Sequence, residues 1–161
     1  MPYLIEGSFK LTETLAIGRY IANRSEKKDL LGKDLKDKAL VDNLLGVYND
    51  IQAAVFDLAL GENFEENHPK TIEKIKPKVE LLQKFYGDKE FALGYPTVPD
   101  FFIAEISYYL KKVSEELYNK APHLKKVAEA INNLPEVKAY YEKEENRKIF
   151  VPPYLKIQPE L

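Results

Sequence analysis

Cysteine is absent from this chain of 161 residues. Its absence excludes a disulfide framework, a thiolate metal site and a cysteine nucleophile, and it is typical of proteins from reducing compartments. Only two histidines occur, His68 and His123, and neither has another candidate ligand at the spacing of a metal site. We therefore expect no metal, and we interpret both residues as ordinary surface histidines.

A strong charge of one sign and long apolar runs are lacking too. The 24 basic and 26 acidic residues leave a net charge of −2, which argues against a general nucleic-acid-binding protein. No apolar run approaches the roughly 20 residues of a membrane-spanning helix, and the first residues lack the basic and apolar pattern of a secretion signal. We expect a cytoplasmic protein that binds neither nucleic acid nor membranes.

What is present begins with the pattern of two strands and a helix. Residues 3–5 are apolar, Glu6-Gly7-Ser8 reads as a turn, residues 9–11 alternate like an edge strand, and a helix opens at residues 12–14. A lone hairpin is only marginally stable in water. This unit must therefore pack on a later part of the chain, or it is half of a larger unit.

The remainder is periodic in the manner of helices. A polar connector covers residues 25–36, and a helix is predicted from about residue 37 to residue 60 because apolar residues recur at steps of three and four. We expect these residues to face inward together: Leu40, Leu44, Val47, Ile51, Val55 and Leu58. A second helix is predicted over residues 71–86, with a kink at Pro77.

Three further helices follow in the prediction. Thr97 and Asp100 have the spacing of a capping box, and the apolar helix after them should be central and buried. Pro122 and Pro135 each open another helix. The proline-rich tail is expected to lie across the bundle. The sequence thus predicts a mainly α chain, with a ββα unit at 1–24, a linker at 25–36 and a helical domain at 37–161.

Two local features could hold a ligand. Pro2 could form a cis peptide bond that presents the backbone of Met1, and the alternative is a plain strand start. Glu13 and Thr14 stand at a helix start, where free N–H groups and a hydroxyl make a binding site for a carboxylate. The alternative there is ordinary N-capping, and the residues alone favour the plain structural interpretation of both features.

The order of these pieces resembles cytosolic glutathione transferases. "MPYLIEGSFKLTETLAIGRYIA" is similar to the second half of their thioredoxin-like domain, with its "PYLI-G" run and its "T-E-T-x-A-I-x-R-Y-I-A" run. "PTVPDFFIAEI" and "APHLKKVAEAINNLPEVKAYYEKE" resemble their helical C-terminal domain, most closely in the mu and sigma classes. The resemblance spans essentially the whole chain and implies a glutathione-transferase helical bundle preceded by a partial thioredoxin-like ββα unit.

The resemblance also implies a glutathione site, with glutathione as a substrate and no metal. The backbone of Met1, presented by Pro2, would pair with the cysteinyl main chain of glutathione. Glu13 and Thr14 would hold its γ-glutamyl end. Asp50 would reach across a homodimer to the γ-glutamyl amine of the partner's ligand.

A pocket for a hydrophobic electrophile is implied beside that site. Ala53, Phe56 and Leu60 would line it, on the later part of the first long helix. Leu60 stands where mu-class members have a tyrosine, so a hydrogen bond to the developing product is not expected from that position.

The sequence departs from the family's pattern in one respect. The strand–helix–strand that carries the thiol-activating tyrosine or serine is not among these residues, so no catalytic residue is assigned, and a bound thiol would keep a pKa of roughly 8.5. The strand at residues 3–5 would then present an open edge, which calls for a homodimer mate, a complementing segment or a larger assembly. Two functions stay open: a glutathione transferase that is weak or inactive as this chain alone, or a non-catalytic scaffold of the same fold.

Overall fold

The computed structural model describes residues 2–147. Two antiparallel strands come first, with Tyr3 opposite Thr12, and helices make up nearly all of the rest, as the sequence predicts. The elements in chain order are β1 (Tyr3–Glu6), β2 (Phe9–Thr12), α1 (Thr14–Arg24), a 3₁₀ turn (Lys28–Leu31), α2 (Leu35–Leu60), α3 (Phe64–Tyr86), α4 (Val98–Val113), α5 (Glu115–Asn119), α6 (Pro122–Asn132), α7 (Pro135–Glu142) and α8 (Glu144–Arg147).

Side chains of α1 hold the hairpin in place. The hydroxyl of Tyr20 donates to Glu6 at 2.5 Å, and Arg24 forms an ion pair with the same carboxylate. The rings of Phe9 and Tyr20 lie 5.1 Å apart between centroids. β1, β2 and α1 therefore form one connected ββα unit.

The ββα unit packs on the bundle through α1. A Cβ atom added to Gly18 would lie 3.0 Å from Cζ of Phe102, so the ring of Phe102 sits directly against the helix backbone. Ala22 joins a small buried cluster with Val41 and Leu45 of α2. This contact supplies the later partner that the lone hairpin requires.

The main core lies among α2, α3, α4 and α6, with α4 at its centre. Ile103, Ile106 and Leu110 of α4 have no exposed surface, which confirms the prediction of a central, buried helix. The predicted capping box is also present. The backbone N–H of Thr97 donates to Asp100 Oδ2 at 2.7 Å, and its hydroxyl donates to the same oxygen at 2.6 Å.

Asp100 does more than cap α4. Its Oδ1 accepts hydrogen bonds from the hydroxyl of Tyr86 at 2.9 Å and from the backbone N–H of Ala92 at 2.8 Å. Asp100 is fully buried, and burial raises the pKa of its carboxyl, against the opposing effect of the hydrogen bonds it accepts. The carboxylate thus joins the end of α3 to the start of α4.

The prediction for the start of α3 is wrong. The helix begins at Phe64, and Pro69 lies inside it along with Pro77. Both prolines are exposed, so water can reach the carbonyls that lose an N–H partner, and the helix continues through them. His68 consequently lies within α3, before the predicted start of that helix. It is half-buried, with Nε2 2.5 Å from the carbonyl oxygen of Val113.

Other differences concern α2 and the short elements. Leu40 was expected to face inward but is 38% exposed, because Val41 and Leu45 take the inward positions beneath α1. α2 begins at Leu35 after Asp34, whose side chain accepts from two backbone N–H groups. A 3₁₀ turn lies within the predicted linker, and α5 was not predicted. The division at residues 24 and 36 stays a prediction, and the predicted course of the tail lies outside the described residues.

No helix between residues 2 and 147 has the length and apolar character needed to span a membrane. Over the same residues, no group of three or more potential ligands is arranged to hold a metal ion.

Candidate functional site

The start of α1 leaves backbone donors available. The first backbone hydrogen bond of the helix runs from Ile17 N–H to the carbonyl of Glu13, at 2.9 Å. The N–H groups before Ile17 have no partner inside a helix. The side chain of Glu13 makes no capping bond, and the first turn carries no acidic residue. In the described part of the chain, this helix start is therefore not closed by its own side chains.

The backbone of Glu13 is strained. Its φ of 70° is the only positive φ of a non-glycine residue among residues 2–147. Such a conformation costs on the order of 1–3 kcal/mol. The strained residue places an exposed carboxylate beside the donors of the helix start. Donors and carboxylate together match the two charges of an amino-acid zwitterion, its carboxylate and its ammonium.

Little of the predicted site at Met1 and Pro2 falls within the described residues. Met1, and with it the peptide bond to Pro2, lies outside the described residues. Pro2 is exposed and directly precedes β1. The proposed pairing of the Met1 backbone with a ligand stays a prediction.

Asp50 lies on α2 and is engaged within the chain. Its Oδ2 lies 2.6 Å from Nζ of Lys78 on α3, and its side chain is 55% exposed. Asp50 thus pairs with a lysine of the bundle. Within residues 2–147, Asp50 makes no contact with Glu13 or Thr14.

The three residues predicted for the electrophile pocket share an exposed strip of α2. Ala53, Phe56 and Leu60 are separated by three and four positions, which places them on one side of the helix. Phe56 is 37% exposed, and its ring meets that of Tyr109 edge to face, with centroids 6.0 Å apart. Leu60 is 57% exposed. The strip is apolar and open.

A group of polar and aromatic residues next to this strip was missed. Tyr48 and Gln52 of α2 interact with each other, and Glu105 of α4 acts on Tyr48 and Tyr109. Burial, followed by the charge of Glu105, raises the pKa of both tyrosines above the ordinary value. The spacing of four between Tyr48 and Gln52, and between Glu105 and Tyr109, was the available signal.

The comparisons with known proteins identify the family. The family model described as the C-terminal domain of glutathione S-transferase matches residues 49–144. A glutathione S-transferase of Tyrophagus putrescentiae is 30% identical over 157 residues, covering 97% of this chain and 70% of the relative. The chain belongs to the glutathione S-transferase family, which confirms the resemblance seen in its sequence.

Other relatives show how much of a family member this chain covers. The class-mu 26 kDa isozyme of Schistosoma mansoni is 29% identical over 141 residues, covering 87% of this chain and 63% of the relative. The class-mu isozyme 51 of Fasciola hepatica is 28% identical, and the chain spans 65% of its length. The chain thus spans slightly less than two thirds of the length of these curated relatives.

Solved structures share the fold. The glutathione S-transferase Blo t 8 superposes with a TM-score of 0.80 at 20% identity, covering 98% of this chain and 75% of that one. The rat protein hPGDS, solved in complex with a quinoline, gives a TM-score of 0.74 at 25% identity, covering 88% and 72%. The mainly helical glutathione-transferase fold with a small ββα unit at its start is therefore confirmed.

Proposed function

We propose that this chain binds glutathione at the start of α1. Thr14 and the N–H groups of the first turn hold the γ-glutamyl carboxylate, and Glu13 holds the γ-glutamyl ammonium. The observation that carries this proposal is the open helix start beside the strained, exposed Glu13. Membership of the glutathione S-transferase family supports it. In this proposal the backbone of Met1, presented by Pro2, pairs with the cysteinyl part of the ligand.

The role of Asp50 requires a second copy of the chain. In a homodimer its carboxylate would reach the γ-glutamyl amine of the ligand bound by the partner. The ion pair with Lys78 competes with this role, but the pair is exposed and worth less than about 1 kcal/mol. A ligand ammonium can therefore share or replace the lysine.

Conjugation to a hydrophobic electrophile is the reaction we propose for the assembled site. Ala53, Phe56 and Leu60 would form its apolar wall on α2. The thiol of glutathione needs a neighbouring group that lowers its pKa, and none of the predicted site residues supplies one. We expect this chain on its own to turn over weakly or not at all, and we expect the protein to act in the cytoplasm.

A scaffold without turnover is the second candidate. The hairpin favours it, because Tyr3 is 73% exposed, Ile5 58% and Phe9 44%. Exposed apolar side chains on a strand pair recruit a further strand or another surface. The partner would be a second copy, a complementing segment or a larger assembly.

Retention on immobilised glutathione, with elution by free glutathione, tests the first candidate. Thr14→Ala should lower retention about ten-fold, because a hydroxyl contact to a charged group is lost. Thr71→Ala, on α3, is the matched control and should leave retention unchanged. A conjugation assay with an aromatic halide then measures turnover.

The outcomes separate the two candidates. If the chain is not retained on the glutathione resin but co-purifies with a stoichiometric partner, the scaffold function is supported and the proposed glutathione site is contradicted. Light scattering reports the oligomeric state, and a strict monomer would contradict the role given to Asp50.

A further inference from the structure

An acidic aromatic cluster is centred on Glu105 of α4 and includes one tyrosine each from α2, α4 and α7. We use this name for Glu105 with Tyr48, Tyr109 and Tyr141. The hydroxyl of Tyr109 donates a hydrogen bond to the Glu105 carboxylate, and the charge of Glu105 raises the pKa of all three tyrosines. Glu105 and Tyr141 are exposed, Tyr109 is half-buried and Tyr48 is buried. One carboxylate is thus accessible from solvent and bordered by aromatic rings.

The cluster is continuous with the apolar strip of α2. The ring of Tyr109 meets Phe56 at 6.0 Å between centroids, and the ring of Tyr48 lies 4.7 Å from that of Phe102. Phe102 in turn rests against Gly18, one turn after Thr14 on α1. One set of contacts therefore joins Tyr109 to Phe56, and a second set joins Tyr48 through Phe102 to Gly18 of α1.

Glu105 is the acidic member of the cluster, and its charge acts on all three tyrosines. Burial, followed by the nearby charge of Glu105, raises the pKa of all three tyrosines, so their hydroxyls stay neutral. The faces of their rings are themselves regions of negative potential. A carboxylate bordered by such rings attracts a cation and repels an anion.

We propose that the acidic aromatic cluster makes the electrophile side of the site selective for aromatic ligands that carry a positive group over ligands that carry an anionic one. The ring of such a ligand lies on Phe56 and Tyr109, and its cationic group faces Glu105. This inference rests on the proposed function, which places Phe56 at the electrophile site.

Two probes of one shape and opposite charge test the proposal. Benzyltrimethylammonium and phenylmethanesulfonate share a benzyl ring and differ in the sign of the charged group. Each is titrated into the full chain at low salt, with the tyrosine and phenylalanine ring resonances followed by NMR. The cation should bind about five-fold more tightly, and the preference should shrink as salt is added.

Three variants locate the effect. Glu105→Gln keeps the shape of the side chain and removes its charge, so the preference should fall close to one. Glu73→Gln removes an exposed charge from α3 and should leave the preference intact. Phe56→Ala should weaken both probes by a similar factor, because both stack their ring on it.

Equal affinities in the unmodified chain, or a preference that survives Glu105→Gln, would overturn the inference. So would a Phe56→Ala variant that binds both probes normally. The glutathione-resin test is run on the same samples. If the chain is retained on glutathione resin but shows no charge preference, only this inference is contradicted. If it shows the charge preference but is not retained, the proposed glutathione site is contradicted and the selectivity of the cluster is still supported.

Discussion

The ββα unit and the helical bundle differ in how much they bury. Between residues 2 and 24 only Ala22 is buried, whereas residues such as Ile103, Leu110 and Leu124 of the bundle have no exposed surface. Burial of apolar area is the main source of folding free energy. The bundle therefore supplies the stability, and the ββα unit depends on its contact with the bundle.

One carboxylate from each region shows a second difference, in burial and in hydrogen bonding. In the bundle, Asp100 is buried and accepts four hydrogen bonds. In the ββα unit, Glu13 is exposed, strained and without a capping bond. The Asp100 carboxylate thus serves the packing of the bundle, whereas the backbone donors at the start of α1 have no side-chain cap from Glu13.

Replacing Asp100 is the strongest test of this contrast. Asp100→Ala leaves four buried donors unpaired, so we expect a loss of about 3–5 kcal/mol in the free energy of unfolding. Urea titration followed by far-UV circular dichroism measures it. Tyr86→Phe removes one of the four bonds and should cost about 1 kcal/mol. A loss below that value for Asp100→Ala would contradict the role given to the network.

Gly18 tests the joint between the regions. Gly18→Leu forces a side chain into the ring of Phe102, and overpacking of this kind costs about 1–3 kcal/mol. We expect glutathione retention to fall along with stability, because α1 is displaced. Gly46→Leu is the matched control, since a Cβ there meets nothing within 4 Å and should stabilise α2 slightly. Normal retention by Gly18→Leu would show that α1 binds without docking on the bundle.

Tyr95 adds a test that depends on pH. Its hydroxyl donates to Asp37 at the start of α2 and accepts from the backbone of Lys33. Burial, then the bond to Asp37, raises the pKa of Tyr95 to about 12. The folded chain thus favours the protonated phenol. Its contribution is complete below pH 10 and is lost as the pH rises through 12.

Tyr95→Phe should therefore lower the free energy of unfolding by about 1 kcal/mol at neutral pH. The gap between the two proteins should close between pH 10 and pH 12. Denaturant titrations at several pH values measure it, with Tyr140→Phe as an exposed control. A gap that is independent of pH would rule out the bond to Asp37 as its source.

The smallest effect concerns Lys78. Lys78→Met breaks the exposed pair with Asp50 and should change stability by less than about 0.5 kcal/mol. If Asp50 serves the partner's ligand, the released carboxylate should raise glutathione affinity about two-fold. Titration calorimetry with glutathione measures it, with Lys74→Met as the control. If Lys78→Met instead lowered the affinity for glutathione, the result would indicate that Lys78, and not Asp50, contributes to binding.

Local patterns made much of the fold predictable. The capping box at Thr97 and Asp100 marked the start of α4, and its apolar sequence indicated a buried helix, because both signals act within a few residues. The position of the start of α1 could likewise be anticipated, but residues 13 and 14 alone favoured ordinary N-capping, and nothing in the local sequence indicated the positive φ of Glu13. These are the places where neighbours in sequence are also neighbours in space.

Long-range contacts decided the remainder. The second helix was predicted to begin at residue 71, after Pro69, and the solvent exposure of that side of α3 explains why the helix includes Pro69 and begins at Phe64. Leu40 and Val41 are equally apolar, and the docking of α1 decides which of them is buried. The hydrogen bond from Tyr86 to Asp100 joins residues 14 positions apart, and no local sequence pattern predicts it.

The positive φ of Glu13 sets two selection pressures against each other. Glycine adopts this conformation without strain, so Glu13→Gly should make the chain more resistant to heat. The same change removes the carboxylate proposed to hold an ammonium group. A library at position 13 sorted for thermal resistance would drift towards glycine, and one sorted for ligand capture would return to glutamate. Improving the chain as a scaffold therefore works against improving it as a receptor.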